Sequence, residues 1–222
     1  MIDKYVDRLM PIVKKMNDNY KTGGHDIDHF MRTMKIALYL QKREGGDLVI
    51  IGIAGFLHDI HRLIQGKEKK YITPKESLNT VLDIIKKAKL DLTDEQVNKI
   101  LFAIEHHEEY NWNGYNVDDI NTLILQDADN LDAIGAIGIG RSFGYATLNN
   151  QVFYDDTIPL ERFNGYEEKL KDVSNIHFLN NKLIKLGDNM NTKTAKNIAL
   201  ERVKFVEDFI KEYIKEWNTE YY

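Results

Sequence analysis

No cysteine occurs anywhere in the 222 residues. That excludes a disulfide scaffold, a thiolate zinc site, an iron–sulfur cluster and a cysteine nucleophile, so any transition metal must be held by histidine and carboxylate. Proline is nearly as scarce, three scattered residues, which removes the commonest interruption of helices. Long apolar runs are missing too: the longest, Leu48 to Leu57, is about half of the roughly 20 residues a membrane helix needs. The opening MIDKYVDRLMPIV lacks the basic-then-apolar order of a signal peptide. With neither export signal nor cysteine, the chain is expected in the cytoplasm and not on a membrane. A net charge of −5 and a pI near 5.8 offer no general attraction to nucleic acid. Phosphate binding must then come from a local arrangement.

What is present reads as helix almost throughout. Hydrophobic residues at 43% with 29% charged exclude wholesale disorder. Ile2, Val6, Leu9 and Val13 share one helical face over residues 2–20. A second helix is expected from a cap at Asp26 or Asp28 to about Arg43, and a very apolar one from Asp47 to about Leu63. Thr73-Pro-Lys-Glu76 and Thr93-Asp-Glu-Gln96 carry capping-box signals for helices over 74–88 and 94–109. Further helices are expected over 118–143, 175–189 and 193–217, with 145–173 a long irregular excursion of the kind often tied to function. No repeat or linker interrupts the chain. One all-α domain, a helical bundle over residues 1–222 with its core at 20–145 and a C-terminal completion at 175–217, is the economical reading. Glycine inside a helix costs about 1 kcal/mol relative to Ala, so Gly135, Gly138, Gly140 and Gly144 imply close packing or a helix end. The aromatic tail (Phe205, Phe209, Tyr213, Trp217, Tyr221, Tyr222) suggests core or a dimer contact, in a monomer or homodimer.

The histidines are unevenly placed. His25 and His29 are four apart, His58-Asp59 follows the apolar run IIGIAGFL, and His106-His107 closes the helix whose stripe is Val97, Ile100, Leu101 and Ile104. That stripe turns His107 inward and leaves His106 on its flank. His61, three after His58, is expected on another side of its helix. Asp127, Asp129 and Asp132 crowd into an otherwise apolar stretch. Singly, each has a bland explanation: a hydrogen-bonded histidine, a helix-end charge, a solvated face. Together, three helices deliver His or Asp beside apolar stripes, and buried carboxylates are costly without a compensating cation. Two imidazoles with two carboxylates make a mixed N/O set suited to a divalent transition ion with open positions for water.

The order His29, His58-Asp59, Asp129 resembles the HD-domain superfamily of metal-dependent phosphohydrolases. GHDIDHFMR (24–32), LHDI (57–60), QDADNLDAIGAIGIGR (126–141) and HFLNNKLIKL (177–186) are similar to one bacterial subgroup of small HD proteins, and the likeness runs over nearly the whole chain. The resemblance implies that His29, His58, Asp59 and Asp129 bind the metal. Asp129 is preferred over Asp127 because the family's ligand stands directly before a polar-Leu-Asp step, here Asn130-Leu131-Asp132. It further implies one divalent ion per chain (Mn, Mg, Co, Ni, Fe or Zn), catalytic roles for Asp59, Asp127 and His107, and substrate contacts from Arg32, Arg141, His177 and Lys182. His25 and Asp26 match the first half of an HDxxH pattern and would orient His29. His107 would contact phosphate or donate a proton. The implied reaction is attack of metal-activated water on a nucleotide or another small phosphate ester or anhydride; which bond is cut is not implied. His106-His107 with Asn113-Gly114-Tyr115 faintly resembles the HD-GYP branch, which binds two or three metals, but the proline of that motif is absent. Two alternatives are an HD-fold di-iron oxygenase, which needs extra ligands such as His106 and His107, and a nucleotide sensor without turnover. An intact ligand set argues against the sensor.

Overall fold

Ile2, Val6, Leu9 and Val13 repeat at helical spacing, and helix α1 (Ile2–Asn17) buries that face. The structure, a computed structural model, describes residues 2–18, 24–160 and 174–220. It divides into two compact units, Met1–Asp129 and Asn130–Tyr222. Among the described residues the regular structure is helical, with no strand, which gives the all-α class that the periodicity demands.

The first unit is built around a helix buried on every side. Asp47 caps α3 (Leu48–Leu57) by accepting from the amides of Val49 and Ile50, and every residue from Val49 to Leu57 is buried. α1, α2 (Ile27–Glu44) and α6 (Asp94–His106) pack around it. α2 comes close at Gly55, where a Cβ would stand 3.0 Å from the Met34 Cα. Burial of each large apolar side chain contributes roughly 1.5–3 kcal/mol, so α3 is a firm support for whatever stands at its end. The window Leu48–Glu68 is apolar enough in composition to cross a membrane, yet 78% of it is buried inside the protein. A core helix passes the same test. α5 (Pro74–Lys87) and α6 begin with the expected capping boxes, Thr73 with Glu76 and Thr93 with Gln96.

The expected helix over 47–63 is in fact two. The chain leaves helical geometry at Asp59 (φ −99°, ψ 20°) and starts again as α4 (Ile60–Glu68). The expected helix over 118–143 also divides, into α7 (Ile120–Ala133) and α8 (Gly135–Leu148). Ile134 is extended there, and Gly135 takes φ +85°, a left-handed conformation that favours glycine.

Within the second unit, Gly138 is the more demanding glycine. A Cβ at that position would lie 2.0 Å from the Ala133 carbonyl oxygen, whereas Gly140 and Gly144 face open space. A helix end therefore accounts for Gly135 and close packing for Gly138, and neither accounts for Gly140 and Gly144. Gly138→Ala is expected to destabilise the protein by about 2 kcal/mol, in line with overpacked sites, while Gly140→Ala is neutral or slightly stabilising. Urea unfolding of the two variants checks this; equal midpoints would contradict it.

α8 runs to Leu148, into the region expected to be irregular, and residues 149–160 are tied to the next helix by Asn175 and Ile176 amides donating to the Val152 and Phe153 carbonyls, both at 2.9 Å. Residues 161–173 of the expected excursion lie outside the described residues. The helix expected over 175–189 consists of α9 (Asn175–Phe178), a π-helical turn (Leu179–Leu183) and α10 (Ile184–Asp188). α11 (Lys193–Trp217) is capped by Thr192. Its aromatic face packs inside this unit: Phe209 and Tyr213 meet Phe143, and Trp217 meets Tyr154. Phe205 is exposed, and Tyr221 and Tyr222 lie outside the described residues.

Candidate metal centre

Local structure sets the first candidate ligand, His29, in place. Asp26 is the N-cap of α2, and its Oδ1 accepts the His29 amide at 2.9 Å. The cap fixes the first turn, and that turn buries His29 completely. Asp26→Ala is expected to cost about 1 kcal/mol of stability, the usual loss for a removed cap, and to weaken divalent-ion binding at the same time. Asp26→Ser should restore both. Urea unfolding and Mn²⁺ titration measure the two effects, and unchanged ion affinity in the Ala variant would contradict the link.

His58 and Asp59 stand where α3 ends. The His58 Nδ1 lies 3.0 Å from the Gly55 carbonyl; a carbonyl only accepts, so Nδ1 carries the proton and Nε2 keeps its lone pair. α7 supplies Asp129. These side chains converge. His29 Nε2 is 3.2 Å from His58 Nε2 and 3.2 Å from Asp59 Oδ2. Asp129 Oδ1 is 3.5 Å from each of the two imidazole nitrogens, and His58 Nε2 is 3.6 Å from Asp59 Oδ2. Ligands held 2.0–2.2 Å from one ion are separated by about 3.0–3.4 Å in octahedral or tetrahedral arrangements. Five of the six separations fit an ion with little adjustment, and His29, His58 and Asp129 each offer one atom within 4.8 Å of the others.

The donor chemistry points the same way. The Thr33 hydroxyl, able to donate or accept, lies 3.3 Å from His29 Nδ1, and the two Nε2 atoms face each other across 3.2 Å. With both protons on Nδ1, each Nε2 would offer a lone pair to a cation between them. Each second nitrogen is already held by the protein, which fixes the ring for coordination.

Around this quartet lies a ring of further titratable groups. His25 Nδ1 is 2.5 Å from Asp59 Oδ2, so His25 supports the carboxylate, whereas the motif placed it as an orienter of His29. Burial alone would raise the Asp59 carboxyl, but His58, His25 and His107 hold it well below its ordinary value. Burial likewise acts to raise Asp129, and His58 and His29 lower it. His58 would be lowered by burial, yet Asp59 and Asp129 raise it. His107, buried as its stripe predicts, sends Nδ1–H to the Ile104 carbonyl at 2.7 Å. Burial would lower its imidazole; the Asp59, Glu108 and Asp129 carboxylates raise it to about 9.

Several members of this ring escaped sequence reasoning. His61 is not turned elsewhere: because the helix breaks at Asp59, His61 is fully buried with Nδ1 3.7 Å from Asp59 Oδ1. Glu108 pairs with Arg62 and faces His61 Nε2 at 3.6 Å. Burial pushes Glu108 up, but His61, His107 and Arg62 hold it at about 2. The only sequence signal for these contacts was the charged tetrad His-Arg and His-Glu at two helix ends. His106 stays on the flank, on Glu109 at 2.5 Å and against Phe102. Asp127 is fully buried on α7, and Gln126 beside it donates to the His106 and Glu109 carbonyls at 3.1 Å, closing the end of α6.

The four residues carried over as substrate contacts belong to different units. Arg32 is on α2, one turn beyond His29, and half-buried. Arg141, His177 and Lys182 belong to the second unit. There Arg141 pairs with the buried Asp132 at 2.7 Å, and His177 is engaged at both nitrogens, by Ser174 Oγ at 2.7 Å and the Ile158 carbonyl at 3.2 Å. Lys182 is buried in the π-helical turn.

Comparison with known proteins identifies the family. The HD domain family model matches residues 26–134, which contain all four converging side chains. A crystal structure of an HD-superfamily hydrolase from Bacillus thuringiensis is 30% identical with a TM-score of 0.72, over 98% of this chain and 99% of that one. YpgQ of Bacillus subtilis is 29% identical over 199 residues, 88% of this chain and 86% of YpgQ. The crystal structure of YpgQ in complex with ADP has a TM-score of 0.67 at 26% identity, over 95% of this chain and 97% of that one. The fold is that of HD-superfamily hydrolases and supports a metal-dependent phosphohydrolase in general, and the buried His/Asp cluster could hold a divalent ion. The chain belongs to the HD superfamily.

Proposed function

We propose that the protein hydrolyses a phosphate ester or anhydride of a nucleotide or similar small molecule, using one divalent ion held by His29, His58, Asp59 and Asp129. The observation that carries this is the convergence of four N/O donors, with five of their six separations at 3.2–3.6 Å. A divalent ion bound there supplies Lewis-acid polarisation and a water of lowered pKa. The ADP bound in the YpgQ crystal structure supports a nucleotide substrate.

The protein's own groups do the rest. Asp59 and the buried Asp127 accept and steer the proton of the attacking water. His25, hydrogen-bonded to Asp59, keeps that carboxylate oriented. His107, with Nδ1–H committed to the Ile104 carbonyl, presents Nε2 as the donor toward the leaving group. Arg32 offsets charge on the phosphoryl oxygens. Arg141, His177 and Lys182 keep a substrate role on the resemblance of their motifs alone.

The test is a ³¹P NMR screen of nucleoside mono-, di- and triphosphates and sugar phosphates with Mn²⁺, which separates phosphate from pyrophosphate release. The expected result is ion-dependent turnover of at least one nucleotide. Ion binding with no turnover across the panel would favour a sensor, and oxygen consumption by the iron-loaded protein would favour an oxygenase.

A further inference from the structure

Arg62 has no part in the chemistry above, yet it brings a permanent positive charge to the edge of the metal centre. The break at Asp59 restarts the chain as α4, and Arg62, three residues on, lies against Asp59 with Nε 4.0 Å from Oδ1. Its side chain is 24% exposed, and Nη2 donates to Glu108 Oε1. Nε is buried and has no hydrogen-bond partner; at 4.0 Å the Asp59 oxygen is out of reach. Native proteins keep few buried donors unpaired without a reason. Burial would lower the guanidinium pKa, and the Glu108, Asp59 and Asp129 carboxylates raise it, so three anionic side chains bear on this one cation.

We propose that Arg62 binds a phosphoryl oxygen of the substrate beside the ion. A tie to Glu108 accounts for one nitrogen only. A guanidinium has five N–H donors in a fixed fork. With Nη2 on Glu108, the Nε edge stays beside Asp59 Oδ1, the same oxygen that His107 Nε2 meets at 3.8 Å. That is the side on which His107 is placed toward the leaving group. Glu108 offsets the charge of Arg62 but leaves Nε–H unpaired, and it holds the guanidinium in place before substrate arrives. A charge-assisted donor fixed in advance is the kind that stabilises charge growing on a phosphoryl oxygen. Asp59 and Asp129 already balance the two charges of a divalent ion, so an anionic substrate gains from a further donor. The inference rests on the proposed function and adds to it a residue outside the ordered motif.

The experiment compares wild type, Arg62→Lys and Arg62→Ala, each loaded with Mn²⁺. It uses kinetics on the nucleotide that wild type cleaves fastest and calorimetric titration with inorganic pyrophosphate. EPR titration gives the Mn²⁺ affinity, and thermal melts check that the variants fold. Arg62→Lys is expected to keep the tie to Glu108, and with it stability and ion binding, but to lose about 10²-fold in kcat/KM. Its single nitrogen cannot hold Glu108 and phosphate together. Arg62→Ala should lose at least as much and regain part of it when free guanidinium ion is added. Pyrophosphate binding should weaken by about tenfold or more in both variants. A role confined to supporting Glu108 predicts Arg62→Lys equal to wild type in kcat/KM and pyrophosphate affinity, and that result would overturn the inference. A loss of Mn²⁺ affinity as large as the loss of activity would overturn it too, by making Arg62 a support of the ion. A wild type that cleaves no nucleotide sinks the hydrolase reading alone, because pyrophosphate affinity still decides Arg62; a wild type that binds no pyrophosphate overturns the phosphoryl contact.

Discussion

Asp59→Asn is expected to lower ion-dependent hydrolysis by about 10³-fold or more, equivalent to about 4 kcal/mol of barrier. Asp59 is the most connected group of the centre: its oxygens face His25, His29, His58, His61 and His107. Asn keeps the size and one carbonyl oxygen but removes the charge and turns a donor toward imidazole lone pairs. Loss of a residue that merely supports a metal ligand typically costs 10–100-fold in affinity or activity, and loss of a buried anionic ligand costs more. Because volume is conserved, the fold should survive. Steady-state kinetics across a Mn²⁺ titration, with a thermal melt of the same sample, checks both points. Activity within tenfold of wild type would show that Asp59 neither binds the ion nor handles a proton.

Chelation should lower the melting temperature sharply. An ion present at about a thousand times its dissociation constant stabilises the folded state by about 4 kcal/mol. At about 2–4 °C per kcal/mol for a chain of this length, removal is expected to shift Tm by about 8–16 °C. The structural reason lies in the charges: Asp59 is almost wholly buried and Asp129 mostly so, and both carboxylates face the same two imidazole nitrogens. Differential scanning calorimetry with EDTA, then with Mn²⁺ restored, reads the shift. A change below about 2 °C would mean that the cluster is stabilised by its own hydrogen bonds.

The parts legible in the sequence were those set locally or by order along the chain. Thr73 and Thr93 announced their helices because a capping box is complete within four residues. His29, His58, Asp59 and Asp129 were singled out by the resemblance of the ordered motif, while periodicity showed only that they stand beside apolar stripes. The break at Asp59 was not legible: Ile60 and Leu63 continue the apolar pattern of α3, and neither glycine nor proline marks the point. That single omission hid His61, since a continuous helix would carry it to another side. The contact of His25 with Asp59 and the pairing of Arg62 with Glu108 join residues 34 and 46 positions apart, beyond the reach of local rules. At Ile134–Gly135 the break was masked by the glycine run that follows, which reads as a helix with small residues on one face.

The most direct measurement is anomalous diffraction from crystals of the protein soaked in Mn²⁺. A strong peak bounded by His29, His58, Asp59 and Asp129, each donating one atom at about 2.0–2.3 Å, is the expected result. A peak elsewhere, or none among these four residues at saturating Mn²⁺, would contradict the metal centre on which the functional assignment stands.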